Sequence, residues 1–178
     1  RFKPKKDDWK LATVDITTEE GDPELQIRIL PPCAIVGGRK LIKAENNVVA
    51  ISVLGPNLDE RTRESQNPLF TLNEKTVFPS EPPLIALVDT GVNYLLPKLQ
   101  NSIAIDNDGD LIGYDFWDDD HLPFDKDPRR NPFFPTHHGT TVFSVLDAES
   151  DGITTAIYRF PAMDMCRFTE LIEHAANQ

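Results

Sequence analysis

The chain has 178 residues, which allows one domain or one and a half and is enough to bury a hydrophobic core. Its 39% hydrophobic and 26% charged residues are ordinary for a globular protein, and a net charge of −11 argues against nucleic acid or an anionic membrane surface as partner. The charge is uneven: residues 1–80 hold 12 basic and 12 acidic groups, whereas residues 89–150 hold 4 and 12. No apolar run approaches membrane-spanning length and no signal peptide is visible. Because the sequence starts at Arg1 rather than Met, that carries no information on compartment.

Residues 1–10 read as a basic, polar arm. Leu11–Thr18 alternates in part and predicts a half-buried strand; Glu20-Gly21-Asp22-Pro23 is a turn, and Leu25, Ile27 and Ile29 predict a second strand stopped by Pro31-Pro32. Ala34-Ile35-Val36 and Lys40–Ala44 flank Gly37-Gly38, which predicts a hairpin turn. Val48–Leu54 is a further strand ended by Gly55-Pro56. Residues 1–58 thus form a β-rich ancillary or pro-segment-like region, and 59–80, polar with scattered Pro and Asn, read as a linker. Cys33 and Cys166 are too few for a disulfide framework and read as free thiols; neither adjoins a histidine, so a cysteine nucleophile lacks support.

Leu84-Ile85-Ala86-Leu87-Val88, bounded by Pro82-Pro83, predicts a strand buried on both faces and ending on Asp89-Thr90-Gly91. A carboxylate at the carboxyl end of a parallel strand lies where ligands and catalytic groups of open α/β sheets collect. Tyr94–Leu99 predicts a short helical or turn segment. Asp106-Asn107-Asp108-Gly109-Asp110 has carboxylates at alternate positions, a spacing that can present oxygens to calcium. It is no EF-hand, because Trp117 stands where the twelfth-position Glu belongs, and an Asp/Gly turn bonded to its own backbone is the simpler account. Asp118-Asp119-Asp120 and 125–131 extend an acidic loop, either solvated or suited to a cationic substrate segment or a cation. His121 reads as a solvated loop residue.

Pro135-Thr136-His137-His138 leads into a helix with Val142, Val145 and Leu146 at helical spacing, placing His138 in its first turn and its stop near Asp151-Gly152. His137 and His138 could suggest a metal, but no third ligand stands at diagnostic spacing. Thr154–Arg159 predicts a strand, and Phe168, Leu171, Ile172 and Ala175 one face of a last helix with His174 off it. Strand, helix, strand, helix from Leu84 onward predicts a parallel sheet.

Asp-Thr-Gly after an apolar strand is shared by aspartic proteases and by subtilisin-like serine proteases. The aspartic reading needs a second copy, which the sequence lacks; Leu111-Ile112-Gly113 follows Gly91 by only 22 positions, too few for a flap and its strands. His138-Gly139-Thr140-Thr141-Val142, 49 positions after Asp89, resembles the His-Gly-Thr-x-Val motif of the subtilases, and Gly113-Tyr114-Asp115-Phe116 with Pro123-Phe124-Asp125 resembles the acidic loop before it. The resemblance covers Leu84 to about Leu146, weakens toward Gln178 and is absent before Pro79. It departs at Phe143 and Ser144, where the family has two small residues.

The resemblance implies an α/β fold, a partial subtilisin-like parallel sheet over residues 81–178. It also implies a serine-type endopeptidase activity using Asp89 and His138 on a polypeptide substrate, with no cofactor required, in a secreted or periplasmic protein. The family's serine, in Gly-Thr-Ser-Met-Ala, has no counterpart: Ser52, Ser65, Ser80, Ser102, Ser144 and Ser150 all lack a preceding Gly-Thr. The expected partner is therefore the remainder of a catalytic domain carrying that serine, on the same or another chain. The alternative is a non-catalytic subtilase-like domain that binds peptides or partners.

Overall fold

The structure, a computed structural model, describes residues 10–45, 47–72, 84–150, 152–161 and 164–177. The expectations for most of the amino-terminal arm, for Pro82-Pro83, for Asp151 and for residues 73–80 of the linker lie outside these. The chain divides into two compact units, residues 1–67 with 131–134, and residues 68–130 with 135–177 among those described.

The first unit is a five-stranded antiparallel sheet of β1 (Ala12–Thr17), β2 (Pro23–Leu30), β3 (Ala34–Ala44), β4 (Asn47–Leu54) and β5 (Glu60–Ser65), in that spatial order. Leu41, Ile51 and Phe133 form its buried cluster. Arg39 pairs with Glu64 at 3.0 Å, donates to the Phe133 carbonyl at 3.0 Å, and lies 4.4 Å over the Phe134 ring.

Two expectations are corrected here. Gly37-Gly38 is not a hairpin turn; β3 runs straight through it. Side chains there would collide with the Leu54 and Gln26 carbonyls, so the glycines admit close approach of β4 and β2 beside a register shift at Arg28/Ile29. Residues 60–65 are not linker but an edge strand. Its Glu-Arg-Thr-Arg-Glu-Ser sequence is exposed throughout, so it offers no apolar alternation to read, and its charges suit an edge that must not pair with other chains.

The second unit holds the short parallel sheet of β6 (Leu84–Asp89), β8 (Thr154–Arg159) and β7 (Gly113–Asp115), with β8 in the centre. Helices α1 (His138–Glu149) and α2 (Phe168–Ala176) complete it. On one face, Ile157 of β8 packs with Phe143 of α1, Val92, Tyr94 and Leu99; on the other, Ala156 and Tyr158 pack with Phe116 and Leu171 of α2. The unit is therefore α/β with a helix on each face of the sheet.

Here β8, not β6, is the strand buried on both faces. β6 lies at the sheet edge, and Leu84, Ile85 and Val88 are exposed. On α1 the buried residues are Gly139 and Phe143, while Val145 is 59% exposed and Val142 is exposed too. The phenylalanine that departs from the family pattern is thus the residue that seats the helix. His174 is half-buried, its Nδ1 3.2 Å from the Tyr158 hydroxyl, rather than exposed. Both cysteines are free and exposed. No helix among the described residues is long and apolar enough to cross a membrane.

Candidate functional site

Asp89 ends β6 and His138 opens α1, and the two meet: His138 Nδ1 lies 2.7 Å from Asp89 Oδ1. A carboxylate only accepts, so the bond places the proton on Nδ1 and leaves the Nε2 lone pair free. The imidazole is 63% exposed, whereas the Asp89 side chain is largely covered. Asp89 Oδ1 also accepts the Thr90 N–H at 2.7 Å, which fixes the carboxylate against its own backbone.

The same two segments lock together at the next residues. Thr90 Oγ1 accepts the Gly139 N–H at 2.9 Å and donates to Asp125 Oδ1 at 2.6 Å. Asp125 Oδ2 accepts the Thr140 N–H at 2.7 Å, and Thr140 Oγ1 accepts the Asn93 N–H at 2.8 Å. Helix starts leave N–H groups without intrahelical partners; here Thr90 and Asp125 satisfy two of them from outside, since His137 at the N-cap makes no side-chain cap. Both glycines of the paired motifs are demanded by this closeness. Any Cβ on Gly139 would strike the Gly91 carbonyl oxygen, and Gly91, at φ +97°, packs on Pro123 and Phe124.

The hydrogen bond to Asp89, then that carboxylate's charge, raises the His138 pKa above the ordinary value of 6.5. A raised folded-state value means that the pair stabilises the fold fully below about 6.5 and loses that contribution as pH rises through the folded value. Melting midpoints measured from about pH 6 to about pH 9 should therefore show a decline that Asp89→Ala removes.

A cleft of about 620 Å³ opens beside His138, floored by Val88 and Phe160 and edged by Arg129, Arg130 and Thr136. Arg129 is held by Asp127 through bonds of 2.9 and 2.8 Å. Much of the acidic loop is likewise paired rather than simply solvated. Arg159, 1% exposed, binds Asp115 at 2.7 Å and Asp118 at 3.0 Å; Lys126 binds Asp118 at 2.6 Å, and Arg167 binds Asp119 at 2.8 Å. Burial pushes the Asp115 carboxyl up in spite of Arg159. Burial acts the same way on Asp118, but the Lys126 bond and the Arg159 charge outweigh it and hold that group low.

Asp106 spends Oδ1 on the N–H groups of Asp108 and Asp110, each at 2.9 Å, which is the Asp/Gly turn. Among the described residues no cluster of three or more His, Cys, Asp or Glu could hold a metal ion. His121 is exposed, its ring 5.0 Å from that of Tyr114. His137 stays out of the Asp–His contact, its Nδ1 instead 2.6 Å from the Asp125 carbonyl oxygen. Asp125, in the Pro123-Phe124-Asp125 segment between the two motifs, is the side chain that bonds to both of them.

No family model, no curated protein and no solved structure matches the chain.

Proposed function

We propose that the chain is the Asp- and His-bearing portion of a subtilisin-like serine endopeptidase. The observation that carries this reading is the 2.7 Å contact between Asp89 and His138, brought about by a strand end and a helix start that interlock through Thr90. In this chemistry His138 Nε2 takes the proton of a serine hydroxyl and later returns it to the leaving amine. Asp89 keeps the proton on Nδ1 and stabilises the imidazolium. The serine and an oxyanion-binding donor would come from the remainder of the catalytic domain. Two serines of the second unit have other work: Ser144 donates to the Thr140 carbonyl at 2.8 Å inside α1, and Ser102 bonds Asp147. The cleft floored by Val88 and Phe160 offers a seat for part of a polypeptide substrate.

Two measurements test the reading. The chain of residues 1–178 should not react with a serine-directed fluorophosphonate; labelling would mean that a nucleophile lies among the serines already named. The coding sequence should continue past Gln178 into a Gly-Thr-Ser-Met-Ala segment, and the longer product should cleave peptides. A stop codon there, with no serine-bearing partner chain, would leave the non-catalytic peptide-binding reading.

A further inference from the structure

We propose that Asp125 is the positioning residue of this site: a buried carboxylate that sets the His138 imidazole against Asp89 by bonding the Thr90 side chain on one side of the pair and the Thr140 backbone on the other. The inference rests on the Asp–His reading and names the third side chain that fixes its geometry. Asp125 is fully buried, and a carboxylate is kept in such a place only when bonds compensate its lost hydration. Each of its oxygens is committed. Oδ1 accepts from the Thr90 hydroxyl, on the residue after Asp89; Oδ2 accepts from the Thr140 N–H, two residues after His138.

Because Thr90 donates its hydroxyl proton to Asp125, its lone pair faces the Gly139 N–H. The Asp125 carbonyl oxygen holds His137. Residues 137, 139 and 140 are thus each held by Asp125 or by the hydroxyl that Asp125 orients, and residue 138 between them has its backbone direction fixed. The side chain joins segments 35 and 15 positions away in the sequence, so its bonds are not those of a local turn. Asparagine keeps only half of this: with its oxygen on the Thr140 N–H, its NH2 faces Thr90 Oγ1, which must then accept instead of donate, so the direction of the hydroxyl is no longer set by residue 125.

The test reads the imidazole itself. Long-range proton–nitrogen correlation on the 178-residue chain, above the pH at which His138 titrates, reports which ring nitrogen carries the proton. Wild type should be predominantly the Nδ1–H tautomer, and Asp89→Ala should not. Asp125→Asn and Thr90→Val should shift His138 to predominantly the Nε2–H tautomer, with Thr90→Ser restoring the wild-type pattern. The charge of Asp125 itself also raises the His138 pKa, so Asp125→Asn alone could lower the titration midpoint. The tautomer separates the two effects, because loss of charge without loss of position leaves the proton on Nδ1. Should Asp125→Asn fail to fold, Thr90→Val against Thr90→Ser decides. Retention of the Nδ1–H form in folded Asp125→Asn or Thr90→Val overturns the positioning role alone. Its absence in wild type overturns the Asp–His pairing and this role with it.

Discussion

Replacing Arg159 by leucine is expected to destabilise the second unit by about 3–5 kcal/mol, the usual cost of removing one partner from a buried ion pair. Arg159 and Asp115 are 1% and 0% exposed, and their contact is 2.7 Å. The guanidinium also donates to the Lys126 carbonyl at 3.3 and 3.1 Å and lies 4.5 Å over Trp117. Leucine can fill part of this volume but can answer neither the carboxylate nor the carbonyl. The Asp115 carboxyl is already pushed up by burial, with Arg159 opposing that rise; without Arg159 it goes higher still. A carboxyl raised in the folded state favours folding below the ordinary value of 3.8 and costs stability as pH rises through its folded value. The deficit of Arg159→Leu relative to wild type should therefore shrink on acidification. Adding Asp115→Asn removes the stranded charge while keeping Oδ1, which accepts from the Trp117 and Asp118 N–H groups, so the double variant should regain most of the loss. Calorimetric melts of the single and double variants across pH check this. A loss below about 1 kcal/mol that does not vary with pH would show that the pair is not desolvated as described.

What the sequence made legible was local. Thr154–Arg159 is rich in β-formers and stops before Pro161, and its limits are those of β8. Asp89 and His138 were readable because each sits in a tripeptide whose neighbours have their own reasons to be there: Thr90 to bond, Gly91 and Gly139 to admit close approach. The order of strands is not a local property. The apolar run Leu84–Val88 is equally compatible with a central and an edge strand, and only the pairing of β8 between β6 and β7 decides it. Nothing local marks Arg159 for burial; its partner is Asp115, 44 positions earlier. Asp125 lies in a segment that the resemblance points to, but its own role is not local either: it is one carboxylate among many in an acidic stretch, distinguished by the partners that folding brings to it. Of the helix residues at the expected spacing, Leu146 packs on the core, whereas Val142 and Val145 are exposed and Phe143, with the larger surface to bury, takes their place.

In a serine-bearing form of the protein, Asp89→Ala is expected to lower kcat by roughly ten-thousandfold, the scale found when a triad carboxylate is removed. Two effects combine. Nothing would then hold the proton on Nδ1, so most imidazoles would present Nε2–H to the serine and could not accept its proton. Those that did accept it would form an imidazolium with no adjacent charge. Asp89→Asn should cost about as much, because its NH2 can face His138 Nδ1, which then accepts and leaves the proton on Nε2, the wrong tautomer for a base. The acid limb of the kcat/KM profile gives a second readout. Catalysis needs the neutral imidazole, and Asp89 raises the His138 pKa; activity in wild type should therefore appear only as pH climbs through that raised value, and the inflection should move to lower pH in both variants. Peptide hydrolysis measured across pH tests each part. A fall of less than about tenfold in Asp89→Ala, with the inflection unmoved, would mean that the carboxylate touching His138 in this structure does not serve the reaction.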